Sequence, residues 1–154
     1  MNSLSSRLLE KQDYDFVKEI ILESQEWKRE ECWEEDIDSY VLTYKMYNGE
    51  WKIWSLNKED VGVSFVIEWS PANEKPWIGT LLLHPTKRLQ GIGKKIITSI
   101  GNDLRVKGHK VLFVGCPVNQ NSWLEFIGKC GFEQFKVETE KLTSKDYMIA
   151  VKPL

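Results

Sequence analysis

The chain has 154 residues, 42% of them hydrophobic, which suits a single domain (residues 1–154) with a buried core. Its 21 basic and 23 acidic side chains give a formal charge of −2, so neither a nonspecific nucleic-acid binder nor a polybasic membrane patch is expected. No window approaches the roughly 18 apolar residues of a membrane span, and Met1 to Arg7 lacks the apolar core of a signal peptide, so a cytoplasmic address is expected. Cys32, Cys116 and Cys130, with only His84 and His109, suggest reduced thiols and no metal site.

In chain order, a short strand is expected at Ser6 to Leu9, then a helix from Asp13 to Ser24 with Phe16, Val17, Ile20 and Ile21 on its buried face and Asp13 as its cap. A second helix is expected from Asp36 to Met46. Glu50 to Leu56 and Val61 to Trp69 read as a hairpin across the polar turn 57–60. Ile78 to Leu83 reads as a fully buried strand, short, apolar and closed by His84-Pro85. Ile92, Ile96, Ile100 and Leu104 then mark one stripe of a helix over residues 91–107, with Gly108 placed for a left-handed cap. A strand at Lys110 to Gly115, a helix at Asn119 to Lys129, and strands at Phe132 to Glu138 and Asp146 to Val151 complete the order β-α-α-β-β-β-α-β-α-β-β. This is a mixed α/β fold in which a β-α-β crossover demands one parallel neighbour.

The chemistry concentrates where the strand 78–83 turns into the helix. Unpaired N–H groups and the dipole at a helix start attract an anion. Gly91 and Gly93 keep side chains away from it, and Lys87, Arg88 and Lys94 add positive charge. A Walker loop would need a glycine at position 88 and a Ser or Thr at 95, which are Arg88 and Lys95. A dinucleotide fingerprint would need a third glycine at 96, which is Ile96. What remains is Arg88-x-x-Gly91-x-Gly93 after an apolar strand.

That pattern, with the element order around it, resembles the GNAT superfamily of N-acetyltransferases. A second segment, Asn119 to Phe132, is similar to the family's Asn-x-x-Ala…Tyr-x-Lys-x-Gly-Phe stretch at Lys129, Gly131 and Phe132 but not at its front. The resemblance implies a central, mostly antiparallel sheet and direct transfer of an acetyl group from acetyl-CoA to a primary amine of a small molecule or peptide. It also implies that backbone groups of Leu81, Leu82 and Leu83 hold the pantetheine arm and the thioester carbonyl. The amides of Leu89, Gln90, Gly91, Ile92, Gly93 and Lys94 would then hold the pyrophosphate in a loop shaped by Arg88. Asn119 and Asn121 would bond the pantetheine or the acceptor, or else cap a helix.

The chain departs from the family where protons are handled. Trp77 and Gly79 stand where many members carry a basic group, and Phe126 or Ile127 where they carry a tyrosine acid. Glu68 or His84 could act as base through water, with a solvated polar residue as the alternative. Cys116, Asn119 or Tyr147 could supply the acid. For the acceptor, the family points to the segment 26–38, with seven acids, two bases, Trp27 and Trp33; Glu30, these tryptophans and Trp77 would suit a cationic amine. A solvated acidic face is the alternative. A catalytically weak CoA-binding or sensory module of the same fold is the competing function, the acyl group itself is unread, and homodimerisation through an exposed strand edge is an option.

Overall fold

The computed structural model describes residues 3–24, 48–141 and 144–154. The expected helix at 36–46, the acidic segment with Trp27, Glu30 and Trp33, and Cys32 lie outside the described residues. The described elements are β1 (Leu4–Leu8), α1 (Tyr14–Leu22), β2 (Gly49–Leu56), β3 (Glu59–Ile67), β4 (Trp77–Leu83), α2 (Ile92–Val106), β5 (Val111–Pro117), α3 (Asn121–Lys129), β6 (Glu133–Thr139) and β7 (Asp146–Pro153). The strands form one sheet in the order β1-β2-β3-β4-β5-β7-β6, antiparallel throughout except for β4 beside β5. The one parallel pair is the one that α2 connects, as a crossover requires.

Helices cover both faces. On one side Val17, Ile20 and Ile21 of α1 pack on Trp51, Ile53, Val63, Phe65 and Leu82. On the other, the stripe Ile92, Ile96, Ile100 and Leu104 of α2 and Ile127 of α3 pack on Trp54, Val61, Ile78, Leu81, Leu112 and Ala150. Val61 serves the second face although Val63 and Phe65 serve the first, because the β2–β3 register skips it: Trp54 pairs with Gly62 and Ser55 with Asp60. A bulge of this kind turns a side chain to the opposite side.

Local chemistry adjusts several expected boundaries. The β2–β3 turn is tighter than the polar run 57–60 suggests: Asn57 and Lys58 alone make it, with φ of 53° and 71°, the left-handed pair that suits a two-residue hairpin. α2 ends as its sequence predicts, with Gly108 at φ 99° and the His109 N–H on Leu104 C=O at 3.0 Å.

Asp13 does not cap α1. Its carboxylate faces back, accepting from the Glu10 N–H at 2.9 Å and from both terminal nitrogens of Arg7 at 2.6 and 2.8 Å, which ties β1 to the helix entry. The Arg7 hydrogen bonds hold this carboxyl below the usual aspartate range. Its stabilising effect is therefore present above the ordinary value near 4 and is lost as pH falls through the depressed folded value. Asp13→Asn is expected to cost about 1–2 kcal/mol at neutral pH. Urea melts across the acid range should show the variant and the parent converging well below pH 4.

Candidate active site

β4 and β5 pair only at Trp77–Phe113 and Ile78–Val114, after which they separate. At the next step the two strands carry Gly79 and Gly115. Gly79 is the extra residue of a second bulge, since Phe65 pairs with Thr80 and Val66 with Ile78. It also has to be glycine, because a Cβ there would lie 2.8 Å from the Phe65 ring.

Beyond the glycines, β4 keeps its partner on one side and loses it on the other. The His84 N–H reaches Val61 C=O at 2.8 Å, so His84 faces β3. Antiparallel alternation then turns the polar groups of Leu83 and Leu81 outward, towards the gap left by β5. Neither has a strand partner there among the described residues. The Leu83 C=O instead accepts from Arg88 Nε at 3.1 Å, and a terminal nitrogen of Arg88 donates to Ser24 Oγ at 2.7 Å. Ser24 Oγ in turn donates to Ile20 C=O at 2.8 Å. Arg88 thus fixes the end of β4 to the end of α1 and shapes the loop from within.

The loop between Arg88 and α2 passes through two left-handed residues, Leu89 (φ 61°) and Gly91 (φ 79°). For Gly91 the backbone conformation, not space, is the reason for glycine, since a Cβ would meet nothing within 4 Å. Gly93 differs: its Cβ would lie 2.9 Å from Phe126 Cζ, so it lets α2 and α3 approach. No side chain caps α2, and Lys94 is exposed beside its first turn. Gln90 bonds back to Thr86 C=O at 2.8 Å, and Ile92 sends its side chain into the core.

Leu81, Leu82, Leu83, Arg88, Leu89 and Gly93 line one cleft of about 440 Å3. Glu23 and Ser24 from the end of α1, and Ser122, Trp123 and Phe126 from α3, close it. A narrower cavity of about 130 Å3 adjoins it, sharing Leu81, Trp123 and Phe126 and reaching Cys116 and Tyr147 between the separated strands. Trp123 and Phe126 pack edge to face at 5.8 Å. Their spacing of three along an expected helix could have singled them out; nothing in the sequence signals Ser24.

Other expected site residues lie elsewhere. Glu68 follows β3 beside Trp77, and the six-residue run to Leu83 puts it about 20 Å from the end of β4. There it accepts from His109 Nε2 at 2.8 Å and lies 3.7 Å from Lys107 Nζ. The His109 hydrogen bond holds its carboxyl below the usual range, which weakens it as a base. Glu68→Gln is expected to leave kcat within about twofold and to cost at most about 1 kcal/mol of stability. A kcat loss of a hundredfold would restore it as the base. His84 caps the turn after β4: its Nδ1 accepts from the Thr86 N–H at 3.3 Å, and Nε2 faces Glu19 at 3.3 Å. Trp77 stacks on Phe113 at 5.1 Å and donates to Asn73 at 2.9 Å. Asn119 and Asn121 are exposed, and neither caps α3, whose N-cap position is Gln120. Gln120 and Ser122 face the cavities instead.

No family model matches the chain. It is 44% identical over 128 residues to YkzC, an uncharacterized protein of Bacillus subtilis strain 168, covering 83% of this chain and 89% of that protein. Among solved structures, a GNAT-family protein from Desulfovibrio desulfuricans superposes with a TM-score of 0.78 at 16% identity, covering 99% of each chain. The chain belongs to the family of YkzC and has the GNAT fold. A GNAT-family acetyltransferase from Elizabethkingia anophelis, crystallised with acetyl-CoA bound, matches the same fold with a TM-score of 0.72 at 16% identity over 98% of each chain. In this GNAT-fold chain β4 and β5 separate after Ile78 and Val114, and Arg88, Leu89 and Gly93 of the loop that follows line the adjoining cleft.

Proposed function

We propose that the protein is an acetyl-CoA-dependent N-acetyltransferase that acylates a primary amine of a small molecule or peptide in the cytoplasm. The observation that carries this reading is the opening between β4 and β5, where the outward groups of Leu81 and Leu83 meet the uncapped start of α2 in one cleft. A CoA thioester fits such a site at both ends. Its pyrophosphate matches the N–H groups of residues 91–94 and the positive end of the helix. Its pantetheine amides match the outward backbone groups of Leu81 and the Leu83 N–H.

Bound there, acetyl-CoA supplies an acyl group activated as a thioester. The Leu83 N–H stands to polarise the carbonyl, a backbone donor that needs no reorganisation during transfer. Trp123 and Phe126 exclude water from the neighbouring wall. An amine attacks the carbonyl carbon directly, the C–S bond breaks, and the thiolate takes a proton. Tyr147 and Cys116 line the passage beside that position and are the hydroxyl and thiol at hand for this step. With Glu68 held by His109, the amine loses its own proton to water or arrives with a lowered pKa.

An amine panel supplied with acetyl-CoA, read by release of free thiol, tests this reading. Turnover with at least one amine is expected. Absence of turnover together with tight CoA binding would favour the second reading, a CoA-binding or sensory module, which the commitment of Glu68 to His109 recommends.

A further inference from the structure

The narrower cavity runs through the sheet. Its walls include Ile78, Leu81, Cys116 and Ile127 from the face covered by α2 and α3, and Thr80, Gly115 and Tyr147 from alternate positions of the strands, which point the other way. The first position past the β4–β5 pairing is a glycine in each strand, Gly79 in β4 and Gly115 in β5, so neither sends a side chain into the passage. One end adjoins the CoA cleft at Leu81, Trp123 and Phe126, beside the strand segment that faces the thioester in the reading above. Its volume is about 130 Å3, and on that scale one water-sized group needs about 10–15 Å3. There is room for more than the carbonyl and methyl of an acetyl group.

The chemistry of the walls is selective. None of the described lining residues is charged; their polar side-chain groups are hydroxyl, thiol, amide and the Trp123 indole N–H. An ammonium or a carboxylate entering this space would lose its hydration without meeting an opposite charge among the described residues. Hydrocarbon would gain from burial.

Resting on the CoA-thioester reading, we propose that this passage is the acyl pocket and that it admits neutral apolar acyl groups longer than acetyl, such as propionyl and butyryl. Gly115 offers a plug. A Cβ there would meet Ile149 Cδ1 at 3.6 Å, ordinary van der Waals contact, so Gly115→Ala enters the passage without a clash and Gly115→Val adds further bulk to it.

The test is calorimetric titration of the full chain and both variants with free CoA, acetyl-CoA, butyryl-CoA and succinyl-CoA. For the parent, butyryl-CoA is expected to bind about tenfold more tightly than acetyl-CoA, as two further buried methylenes imply. Succinyl-CoA should bind at least about tenfold more weakly than butyryl-CoA. Gly115→Val should bring the butyryl-to-acetyl ratio to about one, with free CoA reporting whether the cleft has survived. If Gly115→Val no longer binds free CoA, Gly115→Ala carries the test, with a ratio at least halved. Equal affinity of the parent for acetyl-CoA and butyryl-CoA, or an undiminished ratio in a variant that binds free CoA, would overturn the inference alone. Failure of the parent to bind any of the four would overturn the CoA reading beneath it.

Discussion

Phe65→Ala is expected to lower the stability of the domain by about 3–5 kcal/mol, the range for removing a fully buried aromatic ring. The ring is 0% exposed and stands beside Trp51 with centroids 4.9 Å apart. Glycines flank it on both neighbouring strands: a Cβ at Gly49 would lie 2.3 Å from Phe65 Cζ, and one at Gly79 2.8 Å from Cδ2. One aromatic side chain therefore fills the space of three residues across β2, β3 and β4, under α1. For a domain of this size the loss corresponds to a fall in Tm of about 10 °C. The same geometry predicts coupling. Gly79→Ala should destabilise the parent, yet cost less in the Phe65→Ala background, where its methyl enters vacated space. Chemical melts of the four proteins check this, and strict additivity would show that Gly79 is glycine for some other reason.

Gly93→Val is expected to act on the cofactor cleft more than on stability. Its Cβ would press on Phe126 Cζ at 2.9 Å and Cε1 at 3.2 Å, with Leu83 Cδ1 at 3.5 Å behind. Phe126 lies edge-on to Trp123, so the ring has to move into the cleft or carry α3 away from α2. Overpacking of this kind costs about 1–3 kcal/mol of stability. Affinity for CoA should fall at least about tenfold, because the displaced ring occupies the wall against which the pantetheine would lie. Gly93→Ala should give a smaller loss, and Phe126→Leu should recover much of it by opening the space again. Titration of free CoA into the three variants reads the series; unchanged affinity in Gly93→Val would place the CoA handle away from Phe126.

What the sequence made legible follows from how local each signal is. The apolar run before His84-Pro85, the four-residue stripe of α2 and its glycine cap depend on neighbours within one element, and each was found within a residue or two of its expected place. The bulges at Val61 and Gly79 depend on register between strands, which no single-strand pattern contains. For that reason Gly79 read only as the absence of a base, although it lies beside the Phe65 ring at the point where β4 leaves β5. Asp13 failed as a cap because Arg7, six residues away on β1, takes its carboxylate. Glu68 read as a base because it ends a strand next to the site strand; antiparallel pairing places that end far from Leu83, in reach of His109. Ser24 reaches the cleft by tertiary contact alone.

The central claim is that a CoA thioester lies along Leu81 to Leu83 with its pyrophosphate on the start of α2. Amide NMR of the 15N-labelled chain titrated with acetyl-CoA tests it most directly. Saturable shifts of the Leu81, Leu83, Gly91, Ile92 and Gly93 amides are expected, with the amides around Glu68 and His109 little moved. No shift at those five amides at about 1 mM acetyl-CoA, the upper end of ordinary KM values, would contradict it, as would shifts confined to the Glu68–His109 end of the sheet.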